Sequence, residues 1–527
     1  MKRIGIDVGG TNTDAVLVEN NAVVAAVKVP TTEDVMSGVV ASLHQLIGDI
    51  GTRARALEGL DAVMIGTTHF VNAVVQRRDL VRVAALRVCL PASQSLTPMI
   101  DWPADLRAAV NPLSFMVEGG HEYDGRLFMP LDEDAVRDAA RRISDSGVRA
   151  LAITATFSPL TAEHETRAAE IVREVDAGLA ITLSHRLGRM GLLERENVTL
   201  LNACLSRLGR NTIEAFRNAL AASGIQAPFY LTQNDGTVML AEVAAEFPVY
   251  SFASGPTNSM RGAAFLSRLS DAMVVDVGGT TSDIGCLVHG FPREANNVVE
   301  IGGVRTLFRM PDLLSMGLGG GTLVMHDGAA QTPTVGPRSV GFRLPEEALV
   351  FGGDTLTTTD IGVAAGLIDL GDRARVKHLS RTLVKATLAR ITAMLEEGID
   401  RMKTQADDVT LVVAGGGAFL VPEKLAGVSQ VLHVPHSSVA NAVGAAIAQV
   451  SGEIDQVFTN VSRDAALAEA KALAERRAVQ AGADAKTLKL VDIEDLPLAY
   501  LPGGAMRVRA RVVGDIESRT GQEPVRK

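Results

Sequence analysis

The chain of 527 residues carries 51 Lys and Arg against 61 Asp and Glu, a net charge of −10, with 47% hydrophobic and 21% charged residues. This balance excludes a mainly disordered chain, and the length exceeds one compact core, pointing to about three to four domain-sized units. No basic stripe answers a nucleic-acid backbone, and no uninterrupted apolar run approaches the ~20 residues that cross a membrane. Cys89, Cys204 and Cys286 are isolated, so neither a CxxC metal site nor a disulfide framework is expected. The opening MKRIGIDVGG enters a strand directly and shows no cleavable leader, which with the cysteine usage predicts a cytoplasmic protein.

Short β-branched runs bounded by Gly or Pro alternate with amphipathic stretches, the pattern of an α/β protein. Strands are expected at 3–8, 15–19, 62–65, 81–88, 148–154 and 179–183. A helix is expected from Asp132 to Ser146, capped by Asp132 and stopped by Gly147, and another from Thr161 to Val175 with Thr161 as cap. The stretch from Leu192 to Ser223 reads as one or two helices crossing between lobes and ended by Gly224. A second α/β region follows from about Pro228 to Val450, whose middle, Gly302 to Gly353, reads as active-site loops and short strands. In the tail, Asp464 to Gly482 reads as a helix and Met506 to Val513 as an edge strand, and the last dozen residues as disordered. The expected units are 1–191, 192–450 and a small α+β appendage at 451–527.

The segment IGIDVGGTNTDAVLV, from Ile4 to Val18, recurs as VVDVGGTTSDIGCLV, from Val274 to Val288. Asp7 aligns with Asp276, and Asp14 with Asp283. In each copy a strand ends in an acid, paired glycines let the backbone approach an anion, a hydroxyl follows, and a second strand returns. Gly9, Gly10, Thr11 and Asn12 form one such loop and Gly278, Gly279, Thr280 and Thr281 the other. An ordinary glycine hairpin would explain one copy, but two copies favour a duplicated nucleotide-handling lobe. No lysine follows either loop as in a Walker motif, so the phosphate charge falls to backbone dipoles and a Mg²⁺ or Mn²⁺ ion, with Asp7 and Asp276 as its ligands. Asp14 and Asp283 sit on the returning strands, placed to order the loop or reach a metal-bound water. Gly415, Gly416 and Gly417, in LVVAGGGAFLVP, end a strand where a nucleoside needs close approach.

In this order the three elements resemble the phosphate-1, phosphate-2 and adenosine motifs of the acetate and sugar kinase, Hsc70 and actin superfamily. Within it the chain resembles the hydantoinase A and 5-oxoprolinase family. The further segments that carry this are IGTTHFVNAVVQRR from Ile65, FASGPTNSMRGA from Phe252, SMGLGGGTLV from Ser315, GPRSVG from Gly336 and GGDTLTTTDI from Gly352. The resemblance implies two related ATPase lobes with a cleft between them and ATP as co-substrate. It implies ATP-dependent activation of a cyclic amide (hydantoin, oxoproline or lactam type) by phosphoryl transfer, then ring opening. It further implies a second, hydantoinase B-like or other subunit within an oligomer. An ATP-dependent carboxylase subunit or a small-molecule kinase is the alternative, and an ATP-switched reactivating factor the non-enzymatic one.

Thr67 and Thr68 read either as a helix cap or as substrate contacts, with His69 beside them as a candidate for substrate orientation or a packed residue. Gly319, Gly320 and Gly321 read as an anion nest or a tight turn, and Asp360 as a helix cap. The loop GGHEYDGR from Gly119 reads as a turn, and His433 and His436 do not share a helical face.

Overall fold

The computed structural model describes residues 1–517 apart from 11, 32–34, 52–56, 188–190, 296–297, 308, 327–332 and 499–502, and Val35 and Met36 by backbone alone. Thr11 and the terminal residues from 518 onward, expected to be disordered, thus lie outside the described residues.

Two sheets share one topology. In the first, β1 (Lys2–Val8), β2 (Asn12–Glu19) and β3 (Ala22–Pro30) form an antiparallel meander, and β4 (Ala62–Thr67) and β5 (Phe229–Thr232) add in parallel beyond β1, giving the order β3-β2-β1-β4-β5. Four more strands extend it: β6 (Thr237–Leu240), then β12 (Gln449–Phe458), β14 (Met506–Gly514) and, at the edge, β13 (Lys489–Pro497). In the second, β7 (Ala272–Val277), β8 (Ser282–Val288) and β9 (Leu313–Met316) repeat the meander, and β10 (Val409–Ala414) and β11 (Val428–His433) repeat the parallel pair. The internal repeat seen in the sequence is thus a repeat of sheet order, in keeping with a mixed α/β chain of two related lobes.

The first two strands of the first meander are buried: β1 and β2 are apolar on both faces, with Ile4, Ile6, Ala15 and Leu17 at 1% exposure or less. Such runs are expected where helices cover both faces of a parallel sheet. Between β4 and β5 the chain inserts a separate four-stranded parallel sheet built from Val83–Leu90, Leu113–Glu118, Ala150–Ala155 and Ala180–Leu183, with its own core. The expected helix there runs from Glu133 to Asp145, and Asp132 caps it by accepting the Ala135 N–H at 2.9 Å. Its neighbour differs from expectation. The helix Glu163–Val175 starts after Ala162 without a side-chain cap from Thr161, because Glu163 and Glu165 place negative charge in the first turn instead.

The helix read at 192–223 is a single one, α2 (Leu192–Ala222), following α1 (His69–Gln76). It delivers the chain to β5 of the same first sheet and so does not lead across to the second, although Glu194 and Asn197 meet Arg305 of the later half. The crossings are made by α3 (Ser254–Ser267), which leads to β7, and α5 (Ala440–Ala446), which leads back from β11 to β12; α4 (Arg381–Met402) covers the second sheet. A side chain at Gly262 would place Cβ 1.9 Å from the Ala440 carbonyl oxygen, and one at Gly444 would place it 1.8 Å from that of Asn258. The two crossover helices therefore touch backbone to backbone.

The strand expected at an edge, β14, is paired on both sides, by β12 and β13. Helix α6 (Arg463–Gln480) lies over these strands with Ala466, Ala470, Ala474 and Ala478 buried in one stripe. The stripe lets it descend until Gly452 of β12 lies against the helix backbone. The segment expected as an appendage thus extends the first sheet. Among the described residues no helix is long and apolar enough to cross a membrane.

Candidate active site

Ligands of open α/β sheets gather at the carboxyl ends of the parallel strands, and there each sheet presents its acid. Asp7 ends β1 opposite Asp14 of β2, and Asp276 ends β7 opposite Asp283 of β8. The loops that follow are built alike: Gly9 N–H donates to Asn12 O at 3.0 Å, and Gly278 N–H to Thr281 O at 2.9 Å. Gly10, Thr280 and Thr281 are exposed, and Gly278 and Gly279 half-exposed, at the open side of these turns.

Facing carboxylates on paired strands repel unless something answers them. At Asp14 that is Lys28 of β3, whose Nζ donates to both oxygens at 2.6 and 2.7 Å. Burial still raises the Asp14 carboxyl to about 6 against the lowering effect of Lys28. Asp7, 3% exposed, accepts from amides among the described residues: Asn258 of α3 at 3.5 Å and Asn441 of α5 at 3.2 Å. Burial raises it above the ordinary carboxylate range despite these donors. Asp276 is pushed up to about 7 by burial first and then by the charge of Asp283, while Ser259, next to Asn258 on α3, lowers it. Asp283 accepts a hydrogen bond from Ser315 and is raised by burial. Of the four carboxyl groups, Asp14 alone has an ion-pair partner, Lys28, among the described residues, where no group of three or more His, Cys, Asp or Glu side chains stands ready to hold a metal ion.

The third element closes the site. Gly417 N–H donates to Val277 O at 2.7 Å, and a Cβ at Gly415 (φ +86°) would lie 2.3 Å from Asp276 Oδ1. Gly415 and Gly417 are therefore required by contact with β7 itself, whereas Gly416 is exposed with open space around it. Gly320 and Gly321 donate to the carbonyls of Gly278 and Gly279 at 3.0 and 2.7 Å. These donors are engaged within the protein and brace the second loop. Thr358 and Thr359 hydroxyls donate in turn to Gly320 O at 2.8 and 2.7 Å, and Asp360 forms a capping box with Thr357.

The N-terminal part of the chain, residues 3–176, matches the family profile "Hydantoinase/oxoprolinase N-terminal region", and residues 195–374 match "Hydantoinase/oxoprolinase". The chain belongs to the hydantoinase/oxoprolinase family. Among its relatives, the acetophenone carboxylase gamma subunit of Aromatoleum aromaticum is 29% identical over 398 residues, 69% of this chain and 53% of that protein. The caprolactamase subunit alpha of Pseudomonas jessenii is 28% identical over 430 residues, 78% of this chain and 61% of that protein. The chain therefore spans less than two thirds of the length of these relatives. In fold it is similar to the ATP-dependent caprolactamase from Pseudomonas jessenii (TM-score 0.76, 21% identity, 98% of this chain and 88% of that one). It is also similar to nucleotide-free acetone carboxylase (TM-score 0.70, 19% identity, 100% of this chain and 90% of that one).

Within this family member, Thr67 to His69 lie beside the first loop: Thr68 N–H reaches Val8 O at 3.5 Å, and the Ser254 hydroxyl donates to Thr67 O at 3.0 Å. Thr68 stands at the N-cap of α1 without a capping hydrogen bond, while Thr67 accepts the His69 N–H at 3.2 Å. Burial lowers His69, which favours neutral imidazole. The 119–126 loop is the expected turn, with Gly125 N–H on Glu122 O at 3.0 Å. Sequence reading missed Lys28, Asn258, Ser259 and Asn441. Asn258 and Ser259 stand inside the quoted FASGPTNSMRGA, so that motif held the signal; Asn441 had none.

Proposed function

We propose that this chain is the ATP-binding part of an enzyme that phosphorylates the carbonyl oxygen of a cyclic amide, of hydantoin, oxoproline or lactam type, so that water then opens the ring. The observation that supports this reading is that α3 links the two acid-glycine loops, Asn258 bonding Asp7 while the next residue, Ser259, acts on Asp276, against which the Gly415–Gly417 turn is packed. The relative named as a caprolactamase subunit supports the amide substrate.

In this reading the open turns at Gly9–Asn12 and Gly278–Thr281 offer N–H groups to phosphate oxygens, and the close-packed Gly415 and Gly417 leave a surface for the nucleoside. Asn258 and Asn441 hold the Asp7 carboxylate in place from opposite crossover helices. Asp7 and Asp276 suit Mg²⁺ or Mn²⁺, since hard oxygen donors raised by burial gain most from a cation. That ion would supply charge neutralisation at the phosphates. Relatives are named as subunits, so we place ring opening in a complex with a second large subunit. Exclusion of water from the activated species gives the physical reason.

A second reading has an observation in its favour: the acetophenone carboxylase gamma subunit matches at 29% identity. There the phosphoryl group would go to an enolate or to bicarbonate. One experiment separates these. The chain, alone and with a co-expressed partner, is incubated with Mg·ATP and caprolactam, hydantoin or 5-oxoproline, and phosphate and product are followed. Ring-opened product with stoichiometric phosphate, only with the partner, is expected, and Asp7→Asn and Asp276→Asn are each expected to lower it about 100-fold or more. A stable phosphoester would mark a kinase, a new carboxylate a carboxylase, and ring opening by the chain alone would remove the partner from the proposal.

A further inference from the structure

Away from these loops, a cavity of about 620 Å³ opens between the inserted sheet, the segment after β5 and strands β12 and β14. Its charged lining pairs off almost completely. Glu453 holds Arg309 at 2.7 Å, Asp455 holds Arg507 at 2.5 Å, and Arg186 pairs with Glu246. Two groups on its wall remain open. Arg477 donates to the Glu453 carbonyl at 2.6 Å but has no carboxylate partner among the described residues. His185 turns only one ring nitrogen inward.

That histidine is held as catalytic and binding histidines are held. Its Nδ1 lies 2.7 Å from Glu165 Oε2, and its own N–H reaches the same oxygen at 3.0 Å. Glu165 is fully buried and also accepts the Ala155 N–H at 2.9 Å and the Ser184 hydroxyl. Burial alone would raise it, but these donors, His185 first, keep it below the usual carboxylate range. Glu165 fixes the ring so that Nδ1 faces it and Nε2 is the nitrogen left for the cavity. The His185 side chain is 22% exposed there, and Nε2 has no partner among the described residues.

We propose that this cavity is a second small-molecule site, for a small organic acid carrying a hydroxyl or amino group. The carboxylate pairs with Arg477 and the hydroxyl or amino donor bonds to His185 Nε2. A histidine fixed in orientation and a guanidinium without a carboxylate partner among the described residues line the same cavity and together recognise both ends of such a molecule, while a bare anion satisfies only one.

Calorimetric titration of the purified chain with glycolate, glutamate and 6-aminohexanoate tests this, with acetate and inorganic phosphate as comparison. At least one hydroxy or amino acid is expected to bind saturably, with affinity reduced about tenfold or more by Arg477→Ala and by His185→Phe. Nucleotide binding by Arg477→Ala should stay at the wild-type level. A shift of the His185 imidazole NMR signals on titration, absent in His185→Phe, separates contact from a folding effect. Equal binding of acetate or phosphate, binding untouched by Arg477→Ala, or no saturable binding below about 10 mM for any of the acids would overturn the proposal.

Discussion

Asp276 shows how a single residue sets a pH dependence. Its carboxyl is held at about 7 in the fold, chiefly by burial, against an ordinary value of 3.8. A group that holds its proton more tightly when folded contributes stability that is fully present below the unfolded pKa and is lost as the pH rises through the folded one. Asp14, raised to about 6 by burial, adds in the same direction. Glu294 works in the opposite sense: burial would raise it, but Arg309 and then Arg511 and Arg509 hold it at about 2, so its contribution changes only below its ordinary 4.5. The chain without nucleotide or cation should therefore lose melting temperature from about pH 4 to about pH 7, and Asp276→Asn should flatten the slope. A wild-type profile that is level over this range, or a mutant with the same slope, would contradict the assignment. The acids themselves were legible because the repeat aligns them. Asn258 stood inside a quoted motif whose partner the sequence does not state, and Asn441 was not legible, since no local pattern marks a residue that meets Asp7 from 434 positions away.

The elements whose placement matters most are the crossover helices α3 and α5. Their contact depends on Gly262 and Gly444, where an added Cβ would meet backbone at 1.9 and 1.8 Å, atoms that cannot swing aside. Gly262→Ala and Gly444→Ala should each cost about 1–3 kcal/mol in urea unfolding, as overpacking does, and weaken nucleotide binding by displacing Asn258 or Asn441 from Asp7. Gly10→Ala, with nothing within 4 Å of the new methyl, should change stability by about 0.5 kcal/mol at most. Similar losses in all three would show that the helix contact is not special. At this scale the expected strand ends agree with the structure within a few residues, because β-branched runs and flanking glycines are local signals. The position of β14 inside the sheet was missed, since alternation reports which faces are buried and says nothing of neighbours along the hydrogen bonds.

At the scale of the molecule, the chain passes between the two repeated sheets through those two crossovers, and a ligand touching both loops would couple them. Saturating Mg·ATP should raise the melting temperature by several degrees, about the 2.7 kcal/mol expected at a hundredfold excess over the dissociation constant, and slow proteolysis of the chain. Nucleotide that leaves both unchanged would argue against the cleft as its site. The segment after residue 450 belongs to this scale as well. Its strands complete the first sheet, so truncation before β12 should expose β6 and reduce soluble folded protein.

By itself the sequence determined the α/β class, the duplication, the two acid-glycine loops and the family. All of these rest on short contiguous patterns that a strand-turn-strand unit must carry wherever it sits. Only the tertiary structure decided which half owns residues 229–240 and 449–514, which glycines are fixed by backbone contact, and how Glu165 orients His185 toward a cavity. Those are pairings between distant segments, set by sheet order and helix crossing, and a linear pattern holds no record of which distant residue will face which.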